Sequence, residues 1–148
     1  MKKIRSSKKG FTLAELLIVV AIIGVLVGIS IPIFTTQLEK SRESTDIANL
    51  RAAKAAVTAA YLDDETIVGK TFVYDAENGK LLDTSATGYS LPKAYGKGTA
   101  ATGSSTNTYM DYTPSTVGAG NVIQVVVGQD ATTKEPTFTY SWIAGATT

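Results

Sequence analysis

The sequence predicts an α+β fold in which one long N-terminal helix, about residues 12–62, packs by its second half on a small antiparallel sheet. Three observations carry this. An almost unbroken apolar run extends from Leu16 to Phe34, no Gly or Pro falls between Pro32 and Gly69, and strand-like segments begin only after residue 70. The chain of 148 residues divides accordingly into a basic leader (1–10), an apolar helix (11–34) and a domain (35–148) made of amphipathic helix and sheet.

The leader holds Lys2, Lys3, Arg5, Lys8 and Lys9 and no acid. The other nine basic residues face 13 acidic ones, so the chain beyond residue 10 carries a net charge of −4. That balance is a poor platform for nucleic acid, and no direct nucleic-acid site is expected. The basic segment reads instead as a cytoplasmic flank under the positive-inside rule.

The run from Leu16 to Phe34 has nineteen residues and approaches the length of a membrane span. Glu15 is the only charged residue between Lys9 and Glu39. An ionisable group in a bilayer core costs roughly 3 kcal/mol or more and points to function. A new amine, made by cutting after Gly10, would neutralise it. A conventional signal peptide fits poorly, because the apolar run leaves through Ile33, Phe34 and Thr35 where a small residue is needed. An uncleaved anchor explains the length and leaves Glu15 unexplained.

Gly24, Gly28 and Pro32 recur every four residues and share roughly one side of the helix. Small residues allow neighbouring helices to approach closely. Pro32 lacks a backbone donor and its ring meets the carbonyl of residue 28, so the helix should kink or loosen there. Ordinary membrane-helix composition, in which Gly and Pro are common, gives the same pattern.

Beyond Pro32, charged side chains interleave with Leu38, Ile47, Leu50, Val57 and Tyr61, close to a helical stripe. The acids Asp63, Asp64 and Glu65 oppose the macrodipole, placing the helix end near Leu62. Fifty residues of helix would measure roughly 75 Å, more than a domain of this size can bury. Its first half needs other partners.

Strands are expected at Thr71–Tyr74 and Lys80–Leu82 around the turn signal Asn78-Gly79, then at Val122–Val127 and Thr137–Trp142. A further short strand is expected around Thr108 to Tyr112. Gly96 to Thr108, rich in Gly, Ala, Ser and Thr, reads as an exposed loop whose Ser104, Ser105, Thr106 and Thr108 could carry glycans.

The chain has neither Cys nor His. Disulfide staples, thiolate catalysis and Ser-His-acid arrangements are therefore excluded. No catalytic residue, cofactor or metal is expected.

The segment Lys9-Gly10-Phe11-Thr12-Leu13-Ala14-Glu15-Leu16-Leu17 resembles the class III signal sequence of type IV pilins and pseudopilins. The resemblance covers residues 1 to about 60 and implies a type IV pilin-like fold. It further implies that a prepilin peptidase and methyltransferase cuts between Gly10 and Phe11 and methylates the Phe11 amine. Glu15 would then pair with the Phe11 amine of an adjacent subunit, and Gly24, Gly28 and Pro32 would let the helix loosen in the filament. The subunit would wait in the cytoplasmic membrane, single-pass with its N-terminus inside. An inner-membrane platform and a cytoplasmic ATPase would then build it into an extracellular homo-oligomeric helical filament. The expected function is that of a major structural pilin. The alternatives are a pseudopilin or minor pilin of a secretion or DNA-uptake machine, or an uncleaved anchored binding module. The chain departs from the best-known pilins in lacking a C-terminal cysteine pair, which leaves its C-terminal edge to strand pairing or to neighbouring subunits.

Overall fold

The computed structural model describes residues 10–99, 108–110, 112–113 and 116–146. Its elements run α1 (Leu13–Asp63), a single 3₁₀ turn (Glu65–Ile67), then β1 (Thr71–Asp75), β2 (Lys80–Asp83), β3 (Asn121–Gln129) and β4 (Pro136–Ala144). The chain forms two compact units, Met1–Thr35 and Thr36–Thr148, and α1 contributes to both.

Among the described residues of the first unit every large apolar side chain is exposed, from Phe11 at 92% to Val27 at 46%. The helix is long and apolar enough to cross a membrane. It runs through Gly24, Gly28 and Pro32 as one continuous helix. The Ser30 hydroxyl donates to the Leu26 carbonyl at 2.7 Å and the Thr35 hydroxyl to the Pro32 carbonyl at 3.0 Å. One proline costs one backbone bond, and the flanking turns hold.

The second unit is a four-stranded antiparallel sheet of order β2-β1-β3-β4 with the later part of α1 on one face. Ile47, Leu50, Ala53 and Val57 of α1 meet Phe72, Tyr74, Ile123, Val125, Val127 and Tyr140 of the sheet. On β4 the aromatic residues Phe138, Tyr140 and Trp142 face this core, while Thr137, Thr139 and Ser141 are exposed. That alternation is what a one-sided strand requires. Val73 and Val122, of opposite parity, are also fully buried, so part of the second face is covered as well.

The β1–β2 loop has four residues, 76–79. Asp75 accepts the amides of Glu77 and Asn78, and Gly79 takes φ 64°, which a side chain would strain. The C-terminal edge is closed by backbone bonds: β4 pairs with β3 at nine positions, Gly145 donates to Gly120, and Ala146 donates to Pro92.

Three sequence expectations change. The strand expected around Thr108 to Tyr112 is a tight turn, with Tyr109 and Tyr112 exchanging backbone bonds across Met110 at φ 53°. Secondly, the segment from Gly96 does not begin as an exposed loop, because Gly96 and Gly98 are buried against α1 and the 118 turn. Ser104, Ser105 and Thr106 lie outside the described residues, and Thr108 is exposed. Thirdly, Glu39, Glu43 and Asp46 belong to the buried face of α1, at 1%, 0% and 0% exposure. The Thr99 amide donates to Glu39, and those of Lys97 and Gly98 donate to Asp46 at 2.8 and 2.7 Å. Arg42 reaches Glu39 at 3.3 Å. Burial pushes the Asp46 carboxyl above its ordinary value despite these amides. Burial also acts on Glu39, but there the bonds from Thr99 and Arg42 prevail and hold the carboxyl below its ordinary value.

Candidate functional site at the start of the helix

Thr12 precedes the first residue of α1, and its carbonyl accepts the Leu16 amide at 3.2 Å. Its hydroxyl accepts the Glu15 amide at 3.2 Å. In return Glu15 Oε2 accepts the Thr12 amide at 2.8 Å and the Thr12 hydroxyl at 2.9 Å. This reciprocal pair is a capping box, satisfying donors that a helix start leaves open. Both bonds into the carboxylate fall on one oxygen, Oε2. Thr12 is a capping partner of Glu15 that the sequence expectations omit, although Thr-x-x-Glu ahead of an apolar run is the signal for it.

Phe11 and Gly10 lie just outside this box, both exposed. Among the described residues, nothing stands within 4 Å of where a Gly10 side chain would begin. An open groove of about 520 Å³ is lined by Phe11, Glu15, Leu16, Ile18 and Val19. It gathers the expected processing residue Phe11 and the expected assembly residue Glu15 on one apolar surface. In the uncut chain the Phe11 nitrogen is a peptide amide, so the Glu15 carboxylate is engaged by Thr12.

Gly24 and Gly28 likewise have nothing within 4 Å of where a side chain would begin, and the whole stretch to Phe34 is exposed. Among the described residues, no packing requires small residues there. The surface they form is available to another helix. Among the described residues, no group of three or more Asp or Glu side chains is arranged to hold a metal.

Chemically, the site can present one carboxylate within an apolar helix surface beside the Gly10–Phe11 bond. It can exchange an internal capping contact for an ion pair with an amine. Residues 5–31 match the family described as the prokaryotic N-terminal methylation motif. Fimbrial protein Q of Moraxella bovis is 43% identical over 61 residues, covering 41% of this chain and 39% of that protein. The type IV major alpha-pilin of the same organism is 43% identical over 63 residues, covering 43% and 40%. The type IV major fimbrial protein FimA of Dichelobacter nodosus is 39% identical over 71 residues, covering 45% and 44%. The chain thus spans less than half the length of the curated relatives it matches. No solved structure gives a significant match.

Proposed function

We propose that the chain is a type IV pilin, the major structural subunit of a surface filament. The observation that carries this reading is the fully exposed apolar helix with a single carboxylate, Glu15, four residues beyond Phe11. Such a surface needs lipid before assembly and other helices after it. Cleavage after Gly10 would free the Phe11 amine for methylation by the prepilin peptidase. That amine would then compete with Thr12 for Glu15 when a subunit docks, so the carboxylate stays bonded on both sides of the step.

In this reading the chain crosses the cytoplasmic membrane once, N-terminus inside, until an assembly platform and ATPase draw it into the filament. Residues 11–34 form the filament core and the sheet domain its outer layer. Gly24, Gly28 and Pro32 let the helix lengthen there, because surrounding subunits shelter backbone groups that bare lipid would not. The chain is a substrate of the processing enzyme.

Electron microscopy with antibody to residues 70–148, on cells expressing the gene at its natural level, tests the assignment. Continuous labelling along long surface fibres is expected. Labelling confined to the envelope or to fibre tips would assign a pseudopilin or minor pilin instead.

A further inference from the structure

The hairpin between β1 and β2 carries Asn78-Gly79 at its tip, and both residues are exposed to water. Gly79 serves the turn by adopting φ 64°, and among the described residues nothing stands within 4 Å of where its side chain would begin. The same lack of a side chain leaves its backbone nitrogen unshielded. That nitrogen can attack the side-chain amide carbon of the asparagine before it, the chemistry that makes Asn a thermolabile residue.

In that reaction the Gly79 nitrogen gives up its proton and bonds to Asn78 Cγ, while the Cγ–Nδ2 bond breaks and ammonia leaves. Water then opens the resulting five-membered imide at either carbonyl. The products are aspartate, or isoaspartate with one extra carbon in the backbone path. Water is the only co-reactant, and nothing is oxidised or reduced.

Asp75 opposes the first step. Asn78 Nδ2 donates to Asp75 Oδ2 at 2.7 Å, and the amides of Glu77 and Asn78 donate to Oδ1 at 3.0 and 3.3 Å. The side-chain bond turns the Asn78 amide back toward residue 75, whereas ring closure needs it turned onto residue 79. A carboxylate acceptor also makes Cγ a poorer electrophile and has no proton to give the departing nitrogen. The same bond is the foremost cause holding the Asp75 carboxyl below its ordinary value, so it stays ionised at neutral pH.

Conversion of Asn78 would remove that donor and set a second carboxylate against Asp75. β2 depends on this hairpin, because it lies at the sheet edge and pairs with β1 at four positions. Lys70 ties its far end through Asp83 at 3.6 Å, and the Asp75 cap ties the end nearest the loop, where Asp75 faces Lys80. We propose that Asn78 is a slow deamidation site, that Asp75 is the positioning residue restraining it, and that conversion of Asn78 loosens the loop end of β2. The inference concerns the second unit alone and stands whether or not the chain forms filaments.

The test ages the full chain in neutral detergent micelles and mildly alkaline buffer, with and without enough urea to unfold it, and maps deamidation by peptide mass. Asn78 should react in urea at least about tenfold faster than in the folded chain. Asp75→Ala should speed the folded chain at least about threefold and leave the rate in urea unchanged, which separates an effect of the fold from one of local sequence. Asp75→Asn keeps an acceptor oxygen without the charge and should fall between. Hydrogen exchange along the β3–β4 ladder should match the parent in both variants. Deamidated chain, separated by its added negative charge, should exchange faster than the parent at the Lys80 and Leu82 amides. No reaction at Asn78 in urea would overturn the site. Equal rates in folded and unfolded chain, or a folded rate unmoved by Asp75→Ala, would overturn the restraint, and unchanged exchange after deamidation would overturn the loosening of β2.

Discussion

The hydroxyl of Tyr95 donates to the carbonyl of Tyr74 at 2.9 Å, closing the gap where β1 and β3 stop pairing. The last ladder pair there is Val73 with Gln124; one position on, Ile123 donates its amide to the same hydroxyl at 2.9 Å. One side chain thus replaces a stretch of sheet hydrogen bonding. Its burial beside the edge-on rings of Tyr74 and Trp142 pushes its ionisation well above the usual phenol range.

Tyr95→Phe should therefore destabilise the second unit by about 2 kcal/mol, since it leaves a buried amide and carbonyl without their partner. Urea unfolding of the full chain in micelles measures this, and hydrogen exchange should speed selectively at Ile123.

The contact of Asp46 with the 97–98 segment makes a second demand. A methyl on Gly118 would lie 2.2 Å from Asp46 Oδ2, and one on Gly98 would lie 2.4 Å from the Tyr112 hydroxyl. Gly118→Ala should be more disruptive than Gly120→Asn, because Gly120 has open space and a φ of 80° that Asn tolerates. Unfolding midpoints of the two variants in the same micelles decide the order.

Acid should act on Glu39 and Asp46 with opposite sign. The folded chain holds Glu39 below its ordinary 4.5, so its contribution is complete above that value and disappears as pH falls through the lower folded pKa. Asp46 is raised above its ordinary 3.8, so the folded state favours its protonated form and loses stability as pH rises from 3.8 through the folded pKa. Glu39→Gln should flatten the acid-side loss, whereas Asp46→Asn should remove the opposing slope. Urea unfolding across a pH series resolves the two.

At the helix start, Glu15→Ala should leave membrane insertion intact and sharply lower the yield of sheared filaments. Thr12→Val should weaken the helix cap by about 1 kcal/mol and reduce yield less, because the carboxylate remains to meet an amine. Equal yields from parent and Glu15→Ala would remove the carboxylate from docking.

Processing has its own readout. Intact mass of protein from a native host should show loss of residues 1–10 and one methyl group on Phe11. A chain still starting at Met1 would refute the assigned cleavage.

Local pattern made the long helix, its end near Asp63, and the four strands legible, because each signal lies within a few residues: Asn78-Gly79 for the hairpin, alternation for β4. The burial of Glu39 and Asp46 was not, since their amide partners sit 60 and 51–52 residues away. Nothing local distinguishes such acids from a solvated helix face. The tight turn at Tyr109–Tyr112 was hidden for a related reason: two tyrosines separated by two residues favour a strand by composition, and Met110 must adopt positive φ to close it. Glu15 was legible as a charge out of place. Its partner Thr12 was present in the sequence as a capping pattern but was overshadowed by that charge.

The C-terminal edge is closed by β4 pairing and the bonds of Gly145 and Ala146, so its closure does not depend on thiol–disulfide chemistry. With no thiol anywhere in the chain, folding waits on no oxidising enzyme and cannot be undone by a reductant. The second unit should reach the same native state in a glutathione-rich compartment as at an oxygenated surface, and a cell making it need not couple export to disulfide chemistry.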